Sequence, residues 1–260
     1  MGELVRFQIE NNVGIIEMND PESRNSLSQD MCLTLINTLK AAEANNTVHV
    51  ILLTGAGSSF CAGGNLKEFS RYQEKLASEI HKEGEATTRL FQTLTGLQKP
   101  VIGAVNGHAL GGGLGLVAAC HYTVASSTAK LGTTEIKLGL FPLVILPIII
   151  EAIGSKKALE ISFTGEIFKA DKAKEYGLVN KVTDPEQVMD EALAFARILA
   201  SASPLALKIG LDCFVNTRDM EMNKKLDYAN TLRVISFLSD DVKEGAEAFL
   251  EKRQPVWKGR

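Results

Sequence analysis

Short apolar runs bounded by Gly, Asn, Pro or Ser alternate with helix-periodic stretches through the first two thirds of this chain, and that alternation restricts its fold more than any other feature. Residues 4–9, 13–18, 48–54, 101–105 and 122–125 read as strands. Between the second and third, Leu27, Met31, Leu35, Leu39 and Ala42 recur about once per helical turn behind Ser26 or Ser28 as candidate N-caps, the stripe of a helix packed on a sheet. Such alternation predicts an α/β fold in which helices cover parallel strands. After about residue 184 the strands stop, and residues 185–201, 204–217, 219–237 and 240–253 read as successive helices separated by Ser, Pro or Asp. Apolar positions there, including Leu226, Leu232, Ile235, Phe237 and Phe249, exceed what a small helical subdomain buries by itself and predict a subunit interface.

A formal net charge of −3 argues against a nucleic-acid or anionic-membrane partner, because no basic tail or long Lys/Arg run accompanies it. Cys32, Cys61, Cys120 and Cys213 are scattered without Cys-x-x-Cys spacing, which signals neither a disulfide framework nor a zinc site and fits a reducing cytoplasm. The N-terminus reads as a strand rather than a cationic, apolar leader, so no signal peptide is expected. Residues 138–150 are the most hydrophobic run, but Pro142 and Pro147 interrupt it and Glu151 ends it, well short of the roughly 18 apolar residues of a spanning helix. A pocket wall or a buried helix is expected there.

The chemistry concentrates around one glycine cluster. The strand-like stretch 100–107 leads into Ala109-Leu-Gly-Gly-Gly-Leu-Gly-Leu-Val-Ala-Ala-Cys120, where the glycines permit close backbone approach and the apolar residues propagate a helix. Its free N–H groups and partial positive charge suit a carboxylate, a phosphate or an oxygen that becomes negative during a reaction. Glu135, twenty positions beyond Gly115, places one carboxylate in an apolar neighbourhood. Gly113-Leu-Gly115-Leu-Val-Ala118 also matches the dinucleotide fingerprint G-x-G-x-x-A, but residues intervene before the first glycine and Glu135 lies well past the next strand, so that reading is set aside. There is no G-x-S-x-G, H-E-x-x-H or P-loop, and His49, His81, His108 and His121 lack ligand spacing, so no metal is expected. A second glycine-bearing segment, Thr54-Gly-Ala-Gly-Ser-Ser-Phe-Cys-Ala-Gly-Gly-Asn65, follows a strand and can supply another exposed N–H.

With both segments in view the chain resembles the crotonase, or enoyl-CoA hydratase/isomerase, superfamily over nearly its whole length. Arg24-Asn-Ser-Leu-Ser28 is similar to the family's R-x-N-A-L-S, Phe60-Cys-Ala-Gly-Gly-Asn-Leu-Lys67 to F-C-A-G-x-D-L-K, Val105-Asn-Gly-His-Ala-Leu-Gly-Gly-Gly113 to V-x-G-x-A-x-G-G-G, and Glu244-Gly-Ala-Glu-Ala-Phe-Leu-Glu-Lys-Arg253 to E-G-x-x-A-F-x-E-K-R. The resemblance implies a catalytic core built as a spiral of β-β-α turns over residues 1–200. A helical region over 201–260 would trimerise, as a trimer or a dimer of trimers, and would contact coenzyme A. The implied substrate is an acyl-CoA thioester, with no cofactor beyond its CoA moiety.

By position, the resemblance makes the amides of Gly64 and Gly112 the oxyanion hole and Glu135 the general acid/base. It places Arg24, Ala62, Gly64, Asn65, Leu66, Lys67, Gly111, Phe249 and Lys252 at CoA, the last two from a C-terminal helix that can belong to a neighbouring subunit. His108, Gly115, Phe141, Leu143 and Val144 would form the acyl pocket, whose apolar wall would raise the Glu135 pKa by desolvation. The family's hydratases carry two glutamates around the substrate's C2–C3 bond; here Gly115 occupies the first position and only Glu135 remains. Asn65 and His121 also replace the family's aspartates. Hydration of 2-enoyl-CoA ranks first, because Gly-Leu-Gly-Leu-Val-Ala-Ala-Cys with Thr-Glu-Ile-Lys-Leu-Gly-Leu is similar to a branch of methylglutaconyl-CoA-type hydratases. Isomerisation of 3-enoyl-CoA to 2-enoyl-CoA with Glu135 as the sole proton shuttle ranks second, and a catalytically silent CoA-binding scaffold third. Decarboxylase and thioesterase variants of the fold are minor options.

Overall fold

The computed structural model describes residues 3–65 and 74–260. Its first hairpin pairs β1 (Val5–Glu10) with β2 (Val13–Met18) antiparallel, turning at Asn11 and Asn12, both with positive φ. Asparagine tolerates that region better than most residues. Helix α1 (Gln29–Ala44) follows, with the Ser28 hydroxyl accepting the Met31 amide at 3.2 Å; Ser28, not Ser26, is therefore the cap. Met31, Leu35, Leu39 and Ala42 are buried together with Cys32 and Ile36, which is the stripe the spacing predicts.

Three consecutive units then repeat one move: a strand in one sheet, a turn, and a shorter strand in a second sheet. They are β3 (Val50–Gly55) with β4 (Ser59–Cys61), β5 (Val101–Val105) with β6 (His108–Leu110), and β7 (Tyr122–Ser126) with β8 (Lys130–Gly132). Helix α2 (Ala77–Thr95) joins the first unit to the second and α3 (Gly112–Ala119) joins the second to the third. Beyond β8 come α4 (Leu146–Ile153), α5 (Ser155–Thr164), β9 (Phe168–Lys169), α6 (Ala170–Tyr176) and β10 (Lys181–Thr183). The result is a spiral of β-β-α turns. One sheet runs β1-β2-β3-β5-β7-β10, parallel from β2 onward, and the other runs β4-β6-β8-β9 with only β9 antiparallel.

The turns between sheets are pinned by side chains. Asn25, fully buried at φ 55°, donates from Nδ2 to the carbonyls of Ala56 and Ser59 at 2.9 and 2.8 Å and accepts the Asp20 amide at 2.9 Å. Asn106 donates to the Gly57 carbonyl at 2.9 Å across the same corner. Three carbonyls of one corner, including that of buried Ser59, thus find side-chain donors within the fold.

The larger core lies where α1, α2 and α3 meet the sheets. On the other face of the six-stranded sheet, α7 (Val188–Ala200) packs Val188, Ala192, Leu193 and Ala196 against Val13, Val50, Leu52, Ile102 and Val124. Its Phe195 ring stacks on Tyr122 with centroids 3.7 Å apart. The chain continues as α8 (Pro204–Asn216), α9 (Met222–Phe237) and α10 (Asp240–Glu251), close to the helices expected from the sequence. Leu226, Ile235, Phe237 and Phe249 stand exposed on the last two, whereas Leu232 is half-buried. No single described helix is long and apolar enough to cross a membrane. The four short strands of the second sheet, helices α2, α5 and α6 and strand β10 are elements that sequence periodicity did not anticipate.

Candidate active site

The site forms where two glycine turns, delivered by β4 and β6, are pressed together. Gly111 has φ 52° and ψ −123°, a conformation open to glycine, and its amide donates to the Gly132 carbonyl at 2.9 Å, tying the turn to β8. Gly112 begins α3, so its N–H has no carbonyl one turn earlier in the helix to bond. Gly63, at φ 91°, faces this turn so closely that a Cβ on it would lie 3.2 Å from the Gly112 nitrogen. Gly64 follows, held beside α1 by a bridge to Leu27, whose amide donates to the Gly63 carbonyl at 2.8 Å.

Glu135 enters from the third unit. It opens a 3₁₀ turn, Glu135–Leu138, separated from the end of β8 by buried Thr133 and by Thr134. Its Oε1 lies 2.9 Å from where a Cβ on Gly111 would stand, and its Oε2 is buried without a hydrogen-bond partner. Burial raises its pKa above the ordinary carboxylate value, while the backbone amides of Glu135 and Thr134 pull the other way. A carboxylate held in this way is poised to exchange protons nearer neutrality than a surface glutamate.

These groups share one cavity of about 270 Å³, lined by Ala62, Gly63, Gly64, Gly111, Gly112, Thr134 and Glu135 on its polar side. The run after Glu135 supplies the apolar side through Leu138 and residues 140–145, so it is a pocket wall first and a helix only from Leu146. Phe141, Leu143 and Val144 all line the cavity; Leu143 and Val144 are also largely exposed and form its rim. Helix α2 completes the enclosure with Glu83, Thr87 and Phe91 at four-residue spacing, one face of the helix. Glu83 is bound by Lys75 Nζ at 2.6 and 2.7 Å. The sequence signal for this helix was the spacing of Ala86, Leu90 and Leu94, diluted by the charged residues before it.

Two placements expected from the sequence need correction, since neither His108 nor Gly115 lines the cavity. The His108 ring faces β8, its Nδ1 accepting the Lys130 amide at 3.2 Å, because strand alternation turns that position away from the glycine turn. Gly115 is buried behind Ile145 and Phe91, which fill the space a side chain would need. Arg24, Asn65, Phe249 and Lys252 also lie off the cavity wall of their own chain, with Arg24, Phe249 and Lys252 exposed. Leu66 and Lys67 fall outside the described residues. His121 accepts the Val101 amide through Nδ1 at 3.0 Å, a structural bond. Burial pushes the Cys61 and Cys120 thiols up to about 12, far from thiolate reactivity. No group of three or more His, Cys, Asp or Glu among the described residues is arranged to hold a metal.

Comparison with known proteins agrees with this architecture. The family model described as enoyl-CoA hydratase/isomerase matches residues 8–260. The chain is 33% identical to (E)-benzylidenesuccinyl-CoA hydratase of Thauera aromatica, covering 98% of this chain and 99% of that protein. It is 32% identical to the short-chain-enoyl-CoA hydratase of Clostridium acetobutylicum, covering 96% and 95%. The crystal structure of an enoyl-CoA hydratase from Bacillus anthracis superposes with a TM-score of 0.94 at 31% identity, covering 99% of this chain and all of that one. A β-β-α spiral, the match over nearly the full length and these relatives together show that the chain belongs to the enoyl-CoA hydratase/isomerase family of the crotonase superfamily.

Proposed function

We propose that this enzyme hydrates 2-enoyl-CoA thioesters reversibly, with Glu135 moving the protons and the amides of Gly64 and Gly112 holding the thioester oxygen. The observation that carries this reading is that Glu135, whose Oε2 is buried and unpartnered, lines the same cavity as Gly64 and Gly112. Ionised Glu135 takes a proton from water as the water oxygen bonds to C3. The C2–C3 π electrons move toward the thioester carbonyl, giving an enolate whose oxygen the two amides stabilise. Glu135 then returns the proton to C2, so that one water is added and the carboxylate is restored. Amide donors aimed at developing charge favour the transition state over the ground state, and one such donor is worth about 3–4 kcal/mol.

This chemistry calls on no metal or redox group beyond the CoA moiety of the substrate. Exposed Phe249 on α10 and Lys252 at its C-cap, with Arg24, suit a CoA contact made across subunits. The exposed apolar side chains of α9 and α10 support assembly as a trimer or a dimer of trimers. The free thiols and net negative charge fit a cytoplasmic protein without a nucleic-acid partner. One observation favours a second reaction at the same site. Gly115 contributes no carboxylate, and Glu83, the other carboxylate among the described residues of the cavity, is paired with Lys75, which leaves Glu135 to carry a proton from C2 to C4 of a 3-enoyl-CoA. Parallel assays of crotonyl-CoA hydration and 3-hexenoyl-CoA isomerisation test the reading: hydration as the faster reaction supports it, isomerisation alone reassigns the chemistry, and CoA-ester binding with neither turnover makes the protein a scaffold.

A further inference from the structure

Three elements meet at Gly115 and leave no room there for a side chain. A Cβ built on Gly115 would lie 2.4 Å from Ile145 Cγ2, 2.9 Å from Ile145 Cβ and 3.0 Å from Phe91 Cζ. Ile145 and Phe91 are each only 3% exposed, yet both line the catalytic cavity. Ile145 is fixed at the N-cap of α4, its carbonyl accepting the Ile149 amide at 3.0 Å, and Phe91 is fixed on the buried face of α2 beside Leu90 and Leu94. Gly115 lies one helical turn into α3 from Gly111, against which the Glu135 carboxylate rests. The rim residues Leu143 and Val144 are open to solvent, so they do not limit how deep an acyl chain reaches.

We propose that Ile145 and Phe91, closing over Gly115, form the floor of the acyl pocket and set the length of acyl chain the site accepts. The proposal rests on the acyl-CoA reading above and adds the residues that decide among acyl groups. A floor made only of hydrocarbon favours an aliphatic end over one carrying a charge, because a desolvated carboxylate would meet no donor there. In an apolar pocket each added methylene changes discrimination by about tenfold or more, so a floor lowered by a few carbon atoms has a measurable effect.

The test uses two measurements on the full chain. Calorimetric binding of butanoyl-CoA and hexanoyl-CoA gives an affinity ratio that needs no turnover. In Ile145→Ala the ratio is expected to move about tenfold toward the longer ester. The second measurement is a thermal cycle. Gly115→Ala is expected to lower Tm by about 5 °C through overpacking, and Gly115→Ala with Ile145→Gly to lose clearly less than the two single variants added together. An unchanged affinity ratio, or strict additivity of the Tm changes, overturns the proposal. Failure of the native protein to bind either ester instead removes the acyl-CoA reading on which it stands, and the proposal with it.

Discussion

Gly111 and Glu135 are matched across the site: the space a Gly111 side chain would occupy begins 2.9 Å from the Glu135 Oε1, so the carboxylate rests directly against the start of α3. Two opposing influences act on it there. Burial disfavours the charged form and raises the Glu135 pKa, while the backbone amides of Glu135 and Thr134 favour that form.

Gly111→Ala is expected to damage both folding and catalysis. The residue would be forced to φ near 52° with ψ near −123°, at a cost of about 1–3 kcal/mol, and its methyl group would displace the Glu135 carboxylate. Chemical denaturation and crotonyl-CoA turnover check this together. Native stability in the variant would contradict the strained turn, and native turnover would contradict the placement of the carboxylate.

Glu135 makes stability depend on pH in a defined direction. Because its native pKa is raised, the folded state holds a proton that the unfolded chain releases earlier. The stability this contributes is full below the ordinary glutamate value and is lost as pH rises through the raised native value. Glu135→Gln carries no such penalty. Its Tm is expected to exceed that of the native protein at pH 8 and to approach it near pH 4; a Tm difference independent of pH would mean that the carboxylate is not desolvated.

The neighbouring glycines Gly112 and Gly113 are expected to respond unequally to alanine. A Cβ on Gly113 would lie 2.1 Å from the Cys61 carbonyl oxygen, which is backbone, whereas one on Gly112 would meet the tip of Leu27 at 2.8 Å, which can swing aside. An alanine inside a helix normally gains about 1 kcal/mol over glycine. For Gly113 that sign should reverse, with a loss of about 1–3 kcal/mol, while Gly112→Ala stays near neutral in stability. Equal Tm values for the two variants would show that α3 is not seated on β4 as described.

Much of this site was legible before the fold was known, because its parts are local. The glycine run opening a helix, the second glycine turn after a strand and the carboxylate before an apolar run each carry their chemistry in neighbouring residues. The long strands were legible for the same reason, since the apolar residues of β2, β3, β5 and β7 run together or alternate between turn-forming residues. The second sheet was not, because its strands are only two or three residues long and show no period. Helix α2 carries its apolar contacts in its second half only, and its wall of Glu83, Thr87 and Phe91 depends on where the helix is laid. His108 and Gly115 were misplaced for a related reason. Nearness in sequence to the glycine cluster does not say which way a strand residue points, or that a distant isoleucine and phenylalanine already occupy the space.

The most direct measurement is the turnover of crotonyl-CoA by Glu135→Gln beside the native protein, with butanoyl-CoA affinity measured on both. A single buried acid/base working against two backbone amides predicts a fall in turnover of about 10²–10⁴ with affinity essentially retained. Turnover that survives the substitution unchanged would contradict it, because the proton would then be moved by another group.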